Sequence, residues 1–359
     1  MFVVVGSGII GTWIALSLAK KGEEVYVIEK SEQAGDGISG RNSGVLHSGI
    51  YYDVNSLKSE MCFRGYDLSL SFFETNKIPF KLCGKVITIG LSDNVEEEKS
   101  KLEELEKLYQ NGVTLGIKGM ELFEKPSSRW QHLLGNKALW IPKTGIVDVP
   151  NYLKILWNLA SNLGVQFLKR KKMKFINNSP VLVDSLTGEK EDIVADHFIN
   201  AAGLYSDELA LDAGLEGYEI RPNKGEYFRL KRNLPYETLV YPLPMKTSTA
   251  LGVHYTFNLG GDAYAGPNSN WAESKEDYKF VTNKSEYYKS IMKILDFYSE
   301  DDLVEGYVGL RPRLFYNNNP IKDFQIISKG NWTHLLGIES PGLTSSPAIA
   351  EKVLLQLGI

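Results

Sequence analysis

The stretch FVVVGSGIIGTWIALSLAKKGEEVYVIEK, residues 2–30, decides how the rest of the chain is read. Its opening apolar run ends on glycine and has the pattern of a buried strand. From Ile9 the apolar residues take a helical period, and the helix stops at Gly22, just after Lys20 and Lys21, cations suited to its negative end. EVYVIEK is a second buried strand. Strand, glycine turn, helix and strand within about thirty residues make a βαβ unit, and GSGIIG supplies its G-x-G-x-x-G turn through Gly6, Gly8 and Gly11.

That turn has a chemical meaning. Glycines allow backbone to approach a pyrophosphate, and the following helix offers unpaired N–H groups and partial positive charge. Glu29 closes the second strand 18 residues past Gly11, where it can accept hydrogen bonds from ribose hydroxyls. A carboxylate there repels a 2′-phosphate, so the expected ligand is FAD or NAD rather than NADP. The candidate contacts in this unit are Gly6, Ser7, Gly8, Ile9, Gly11, Glu29 and Lys30.

The other bulk properties narrow the class. The chain has 359 residues, 43% hydrophobic and 23% charged, with a net charge of −4. This is ordinary globular composition and exerts no pull on nucleic acid. Basic runs such as Lys169 to Lys172 read as solvated faces. Cys62 and Cys83 stand 21 residues apart without a CxxC, supporting neither a disulfide framework nor a zinc site, so no metal is expected. A reducing, cytoplasmic setting fits, with peripheral contact at the inner face of a membrane left open. The uncharged run 2–19 is near the length of a membrane span but is broken by three glycines, lacks a basic flank and changes period, so neither an anchor nor a signal segment is expected.

Further along, residues 56–76 and 95–110 read as helices, and VDVPNYLKILWNLASNLG as another, with Asp148 as cap and Pro150 in the first turn. Residues 217–270 are rich in strands and turns. NAAG follows a strand more than 150 residues beyond the βαβ unit, and GIESPGLTSS lies more than 300 beyond it. The expected architecture is mixed α/β. A discontinuous Rossmann-like FAD-binding domain (1–75, 143–215 and 320–359) carries an inserted β-rich substrate domain (76–142 and 216–319).

Several stretches carry a resemblance: RNSGVLHSGIYYDVNSLKSEMCFRG (41–65), PKTGIVDVPNY (142–152), NKGEYFRL (223–230), YPLP, LGVHYTF and AGPNS (between 241 and 269), GLRPRL (309–314) and GIESPGLTSSPAIAE (337–351). Together they resemble the FAD-dependent oxidoreductases of the D-amino-acid oxidase superfamily. Within it they are nearest to the L-2-hydroxyglutarate dehydrogenases and oxidases. The resemblance covers nearly the whole chain and implies FAD, a small carboxylate substrate and an electron acceptor that is oxygen, a quinone or a carrier protein. GLRP is shared with amine and amino-acid oxidases, and Lys224 stands where an arginine is usual. An amine or amino-acid oxidase therefore stays open, as does a flavin-binding assembly factor without turnover.

No second G-x-G-x-x-G appears in the middle of the chain, so a second dinucleotide has no support and the electrons come from the substrate. A flavin can take both. Arg41, Asn42, Ser43, Gly44 and Val45 are expected to run beside the cofactor. Ala202 and Gly203 of NAAG resemble a flavin-contacting turn, and Gly337, Gly342, Leu343 and Thr344 resemble the end that faces a reduced flavin. Arg311 in GLRP is the expected carboxylate clamp, because guanidinium can grip a carboxylate by two parallel bonds. Lys224 is a candidate for a second carboxylate, and Tyr255 a further substrate contact.

Removing hydride from an alcohol carbon to flavin N5 needs a base for the hydroxyl proton, and imidazole suits this near neutral pH. His132, His197 and His334 read as structural or solvated. His47 and His254 lie in the two most specific motifs, one expected as the base and the other as a hydrogen-bonding partner of substrate or flavin. The alternation of LGVHYTF puts His254 and Thr256 on one face of a strand and Val253 and Tyr255 on the other.

Overall fold

The structure is a computed structural model that describes residues 1–33, 35–124, 130–244 and 252–359. Its opening unit consists of β1 (Phe2–Val5), α1 (Ile9–Lys20) and β2 (Val25–Ile28). β1 and β2 lie side by side and parallel, at the centre of a six-stranded sheet. On the far side of β1 the strands His197–Asn200 and Trp332–Leu336 follow, both parallel, and Gln325–Lys329 closes the edge antiparallel. Gln166–Leu168 flanks β2.

One sheet is thus assembled from segments separated by long stretches of chain. Its parallel strands point their C-terminal ends to one edge, where ligands bind in open α/β sheets. The core beneath it gathers Val4, Ile14, Leu16, Val27, Ile199 and Ile349. Against it pack the helices Leu57–Asn76, Val149–Asn162 and Gly342–Leu357, the second capped as its sequence suggests. Ser56 accepts from the Ser59 amide at 3.1 Å, and Asp148 from the Asn151 amide at 3.0 Å, each satisfying one orphan donor of a first turn.

A ten-stranded sheet supplies the second layer. Its order runs from the strand Asn319–Ile321 through Leu303–Tyr316, Tyr218–Leu230, Ala263–Gly266, His254–Phe257, Leu239–Pro242 and Lys85–Thr88 to Lys137–Ile141 and Glu121–Glu124. Neighbours are antiparallel except Leu239–Pro242 and Lys85–Thr88, which run parallel. One face packs on an apolar core that includes Val86, Leu139, Val240, Tyr255 and Leu295. The other faces the C-terminal edge of the six-stranded sheet across a cavity of about 1240 Å³.

Candidate active site

One end of the cavity is built from strand ends. Gly6 follows β1, Glu29 follows β2, and Ala201 to Gly203 follow the strand at 197–200; all line the cavity. Gly8 and Ile9 line it from the start of α1, whose first turn has no acidic side chain and whose Ile9 amide donates to the Ser39 hydroxyl at 2.9 Å. Gly11 does not line it. A Cβ there would stand 1.9 Å from the Gly6 carbonyl oxygen, so this glycine lets α1 approach β1 closely. Ser7 is fully buried and acts through Glu29, to which it donates from its amide at 2.9 Å and from its hydroxyl at 2.7 Å. With the Ser31 amide at 2.8 Å, three donors fix the Glu29 carboxylate and leave acceptor capacity toward the cavity.

Lys30 lines the same end, ion-paired with Glu276 at 3.1 Å and stacked on Tyr205. Lys171, Lys172 and Lys174 line it too. The lysine run read as a solvated face is thus also a wall of the cavity, because its strand passes beside β2.

Residues 41–47 form the middle. Arg41, Asn42, Ser43, Val45 and His47 line the cavity, whereas Gly44 does not. Gly44 has φ +66°, and a Cβ there would meet the Val147 carbonyl at 2.9 Å, so its role is to bring the loop onto a neighbouring backbone. Asn42 holds that turn, accepting from the Gly44 amide at 2.8 Å and donating to the Ser39 carbonyl at 2.7 Å. Gly342 and Leu343 line the cavity from the C-terminal helix. Thr344 is buried behind them, accepting from the His47 amide at 3.0 Å and donating to the Val45 carbonyl at 3.4 Å. Gly337 is displaced from the cavity as well, seated against Leu314.

The His47 ring is part-buried, and its Nε2 lies 3.1 Å from the Ser340 hydroxyl. Burial, and then the charges of Lys85 and His254, push its imidazole down to about 3.

The ten-stranded sheet presents the opposite wall. Register places Asn223 against Arg311 and Gly225 against Gly309. It also pairs Val240 with Tyr255 and His254 with Gly266. Tyr241 and His254 therefore share the cavity face, with ring centroids 3.8 Å apart. His254 is 5% exposed and its Nδ1 lies 2.8 Å from the Gly252 carbonyl oxygen. A carbonyl only accepts, so Nδ1 carries the proton in the neutral ring and Nε2 keeps its lone pair. Burial pushes this imidazole down to about 3, opposed by the Gly252 bond and reinforced by Lys85 and Arg311.

Arg311 is part-buried and faces the cavity with uncharged partners. Nη1 donates to Asn223 Oδ1 at 2.8 Å and to the Lys224 carbonyl at 3.4 Å, and Nη2 to the Asn268 carbonyl at 3.1 Å. Both terminal nitrogens are engaged, and Nε–H has no partner among the described residues.

Two sequence expectations are corrected. Lys224 does not reach the cavity: its ammonium sits 2.7 Å from Asp277 and donates to the Lys279 carbonyl at 2.9 Å, so its charge is already matched. Tyr255 lies on the far face, 1% exposed in the apolar core, its hydroxyl accepting from the Leu234 amide at 3.4 Å. The strand alternation that aims His254 at the cavity aims Tyr255 away from it.

Other cavity-side residues carried no assignment from sequence. Tyr51, Tyr227, Tyr241 and Arg313 line the cavity, and Lys85 lies behind Tyr51 and Tyr241. Arg313 and Lys58 both bind Glu339 at 2.8 Å. Tyr51 stood within the quoted 41–65 motif and could have been noted there; Lys85 sits in a four-residue apolar strand that offers no such signal.

His132, His197 and His334 lie outside the cavity, bonded respectively to Asp296, Thr333 and Asn200. Both cysteines are free and buried, and among the described residues no cluster could hold a metal ion. Among them, too, no helix is long and apolar enough to cross a membrane. Leu251 of the LGVHYTF motif lies outside the described residues.

The sequence model described as FAD dependent oxidoreductase matches residues 1–354. An L-2-hydroxyglutarate dehydrogenase from Indibacter alkaliphilus is 30% identical over 395 residues, covering 98% of this chain and 97% of its own. The mitochondrial L-2-hydroxyglutarate dehydrogenase of Arabidopsis thaliana is 31% identical, covering 98% of this chain and 82% of its own. Among solved structures, the L-alpha-glycerophosphate oxidase of Mycoplasma pneumoniae with FAD bound matches with a TM-score of 0.86 at 23% identity, covering 100% of this chain and 94% of its own. Glycine oxidase from Geobacillus kaustophilus matches at 0.78 and 18% identity, covering 98% and 93%. These structures establish the mixed α/β flavoprotein fold.

Proposed function

Because the chain belongs to the FAD-dependent oxidoreductase family, we propose that its cavity oxidises a small 2-hydroxy acid, L-2-hydroxyglutarate foremost, to the corresponding 2-oxo acid. The residues present fit FAD. Gly6 and Gly8 leave backbone open beside the fixed carboxylate of Glu29, and a cavity of about 1240 Å³ exceeds the range of an ordinary single-ligand pocket. Bound FAD supplies the two-electron acceptor.

The observation that carries the reading is that Arg311 and His254 face one cavity from one face of one sheet, the first without an anion partner among the described residues and the second with Nε2 free. The guanidinium of Arg311 grips the C1 carboxylate, placing the adjacent carbinol. With the cofactor bound, His254 Nε2 would take the hydroxyl proton as C2 is oxidised, and Nδ1–H would stay on Gly252 so that the ring does not turn. A base held down to about 3 is weak in the protein alone. Burial is the largest cause and persists when substrate binds; the smaller ones, the charges of Lys85 and Arg311, are those a substrate carboxylate screens. His47, tied to Ser340 and Thr344, orients substrate and cofactor.

The names of the relatives support the choice of acid. Anaerobic titration of the FAD-loaded protein with L-2-hydroxyglutarate, its D-enantiomer, L-lactate and a panel of amino acids tests the reading. Bleaching of the yellow flavin absorbance by L-2-hydroxyglutarate is expected. Bleaching by amino acids alone makes the protein an amino-acid oxidase, and bleaching by none makes it a flavin protein without this turnover; either outcome overturns the reading.

A further inference from the structure

Lys85 is the wrong residue for its place if stability were the only requirement. It occupies the strand Lys85–Thr88, KVIT, all four residues of which are buried, between the strands Leu239–Pro242 and Lys137–Ile141. Its two successors, Val86 and Ile87, are 0% exposed, and Lys85 itself is 1% exposed. Burying an ammonium costs several kcal/mol on the order-of-magnitude scale unless an anion and hydrogen-bond acceptors compensate it.

The chain compensates its other buried lysines in that way. Lys224 has Asp277 and the Lys279 carbonyl, and Lys58 has Glu339. Lys85 has neither a carboxylate nor a hydrogen-bond acceptor among the described residues. What it has are two rings: its Nζ lies 4.4 Å from the centroid of Tyr51 and 4.9 Å from that of Tyr241. Such faces attract a cation but replace only part of its hydration. The Tyr51 hydroxyl is likewise buried and without a partner among the described residues. Both rings line the cavity, and Lys85 lies directly behind them.

Register puts this pair on the reacting face. Lys85 pairs with Leu239, two residues before Tyr241, and Tyr241 stacks on His254. Along the sheet, the strand of Arg311 lies three places to one side of the His254 strand, and the strand of Lys85 two places to the other. A cation therefore stands on either side of the base. An acid with a carboxylate at each end and its hydroxyl between matches that order.

We propose that Lys85, with the Tyr51 hydroxyl, is the seat of a second carboxylate of the substrate and makes the site select dicarboxylic over monocarboxylic 2-hydroxy acids. The inference rests on the 2-hydroxy-acid reading and fixes what lies at the far end of that acid. The ammonium and the phenol each donate to the distal carboxylate, which supplies the anion that the chain does not. The charge of Lys85 reaches both histidines, lowering the proton affinity of each, which places it within electrostatic range of the reacting groups.

The test uses FAD-loaded protein and two non-oxidisable probes, glutarate and butyrate, whose binding is read from perturbation of the flavin spectrum. Wild type is expected to bind glutarate at least tenfold more tightly than butyrate. Lys85→Met is expected to weaken glutarate roughly 10- to 100-fold, the range for a hydrogen bond to a charged group, and to leave butyrate within about threefold. Lys85→Arg should recover part of the loss. Tyr51→Phe keeps the ring and removes only the hydroxyl, and is expected to weaken glutarate by about five- to tenfold; it decides the matter if the methionine variant loses its flavin. Equal affinity of wild type for both probes, or an unchanged glutarate-to-butyrate ratio in the variants, overturns the proposal. Because the probes are not oxidised, this outcome is independent of whether any hydroxy acid reduces the flavin, which is what the hydroxy-acid reading stands on.

Discussion

Replacing Arg311 by lysine keeps the positive charge and removes the fork. In the structure three N–H groups of Arg311 are committed to Asn223, the Lys224 carbonyl and the Asn268 carbonyl, leaving Nε–H and one Nη2–H for the substrate. A lysine ammonium has three donors on a shorter stem. If it meets Asn223 and Asn268, one donor is left for a carboxylate that had two. Losing one hydrogen bond to a charged group costs roughly 1.5–3 kcal/mol, or about 10- to 150-fold in affinity. Arg311→Met removes both, and the additional loss of charge brings the expected weakening to about 1000-fold or more. The C1 carboxylate is held alike before and during hydride departure, so the loss falls on substrate dissociation more than on the limiting rate. Anaerobic stopped-flow reduction over a range of L-2-hydroxyglutarate concentrations separates the two. Glutarate and butyrate should weaken by the same factor in Arg311→Lys, in contrast to the selective loss expected at Lys85. A substrate dissociation constant within threefold of wild type in Arg311→Lys, with flavin fully bound, would refute the assignment of the clamp.

Four further outcomes follow from the same geometry. His254→Gln, which retains a donor near Gly252 but no base, should lower the limiting rate of flavin reduction by about 100- to 10,000-fold with little change in substrate affinity, measured in the same stopped-flow experiment; His47→Gln should do less. The groups facing Lys85 are Tyr51, Tyr241, Cys62, His47 and His254: both tyrosines are held well above their ordinary value, Cys62 is pushed up to about 12 and both histidines down to about 3. Lys85 itself is pushed down to about 7 by burial. A bound carboxylate needs the protonated form, so glutarate affinity should be flat from about pH 6, where the probe is ionised, to about pH 7 and fall by up to about tenfold per pH unit above it, while butyrate stays flat; spectral titration from about pH 6 to 9 checks this. Lys85→Met, which removes an unmatched buried charge, should leave the melting temperature unchanged or raise it even as glutarate binding is lost, and calorimetry should show it. Gly11→Ala, with its Cβ 1.9 Å from the Gly6 oxygen, should force α1 from β1, costing about 1–3 kcal/mol in denaturant unfolding and releasing FAD.

The parts of this molecule that were readable in advance are those set by neighbours in sequence. The βαβ unit declares itself because a change of apolar period, a glycine turn and a terminal carboxylate fall within thirty residues. The cap at Asp148 is readable for the same reason, whereas that at Ser56 was read only as the start of its helix. Strand alternation opposed His254 to Tyr255 and, with His254 at the site, already turned Tyr255 away; the expected Tyr255 contact did not follow it. Lys224 was misread because its partner, Asp277, comes from a loop more than fifty residues later, and nothing local announces that its charge is spent. Lys85 was invisible since its meaning arises from a parallel pairing with Leu239, 154 residues away, and from the tyrosines that this pairing brings over it. Glycines and small hydroxylated residues such as Gly11, Gly44, Gly337, Ser7 and Thr344 stand in motifs that resemble cofactor contacts, but in the structure they shape or brace the segments that line the cavity.

The bond from the His47 amide to Thr344 joins residues 297 positions apart. A ribosome delivers residues 41–47 early and Ser340 and Thr344 only near the end, so during synthesis the loop bearing His47 lacks both of its anchors. The turn at Gly6 to Gly11 emerges first, but the strand Trp332–Leu336 of its sheet and the helix Gly342–Leu357 that packs on α1 come last. Neither end of the cavity is therefore complete until the C-terminal segment has docked.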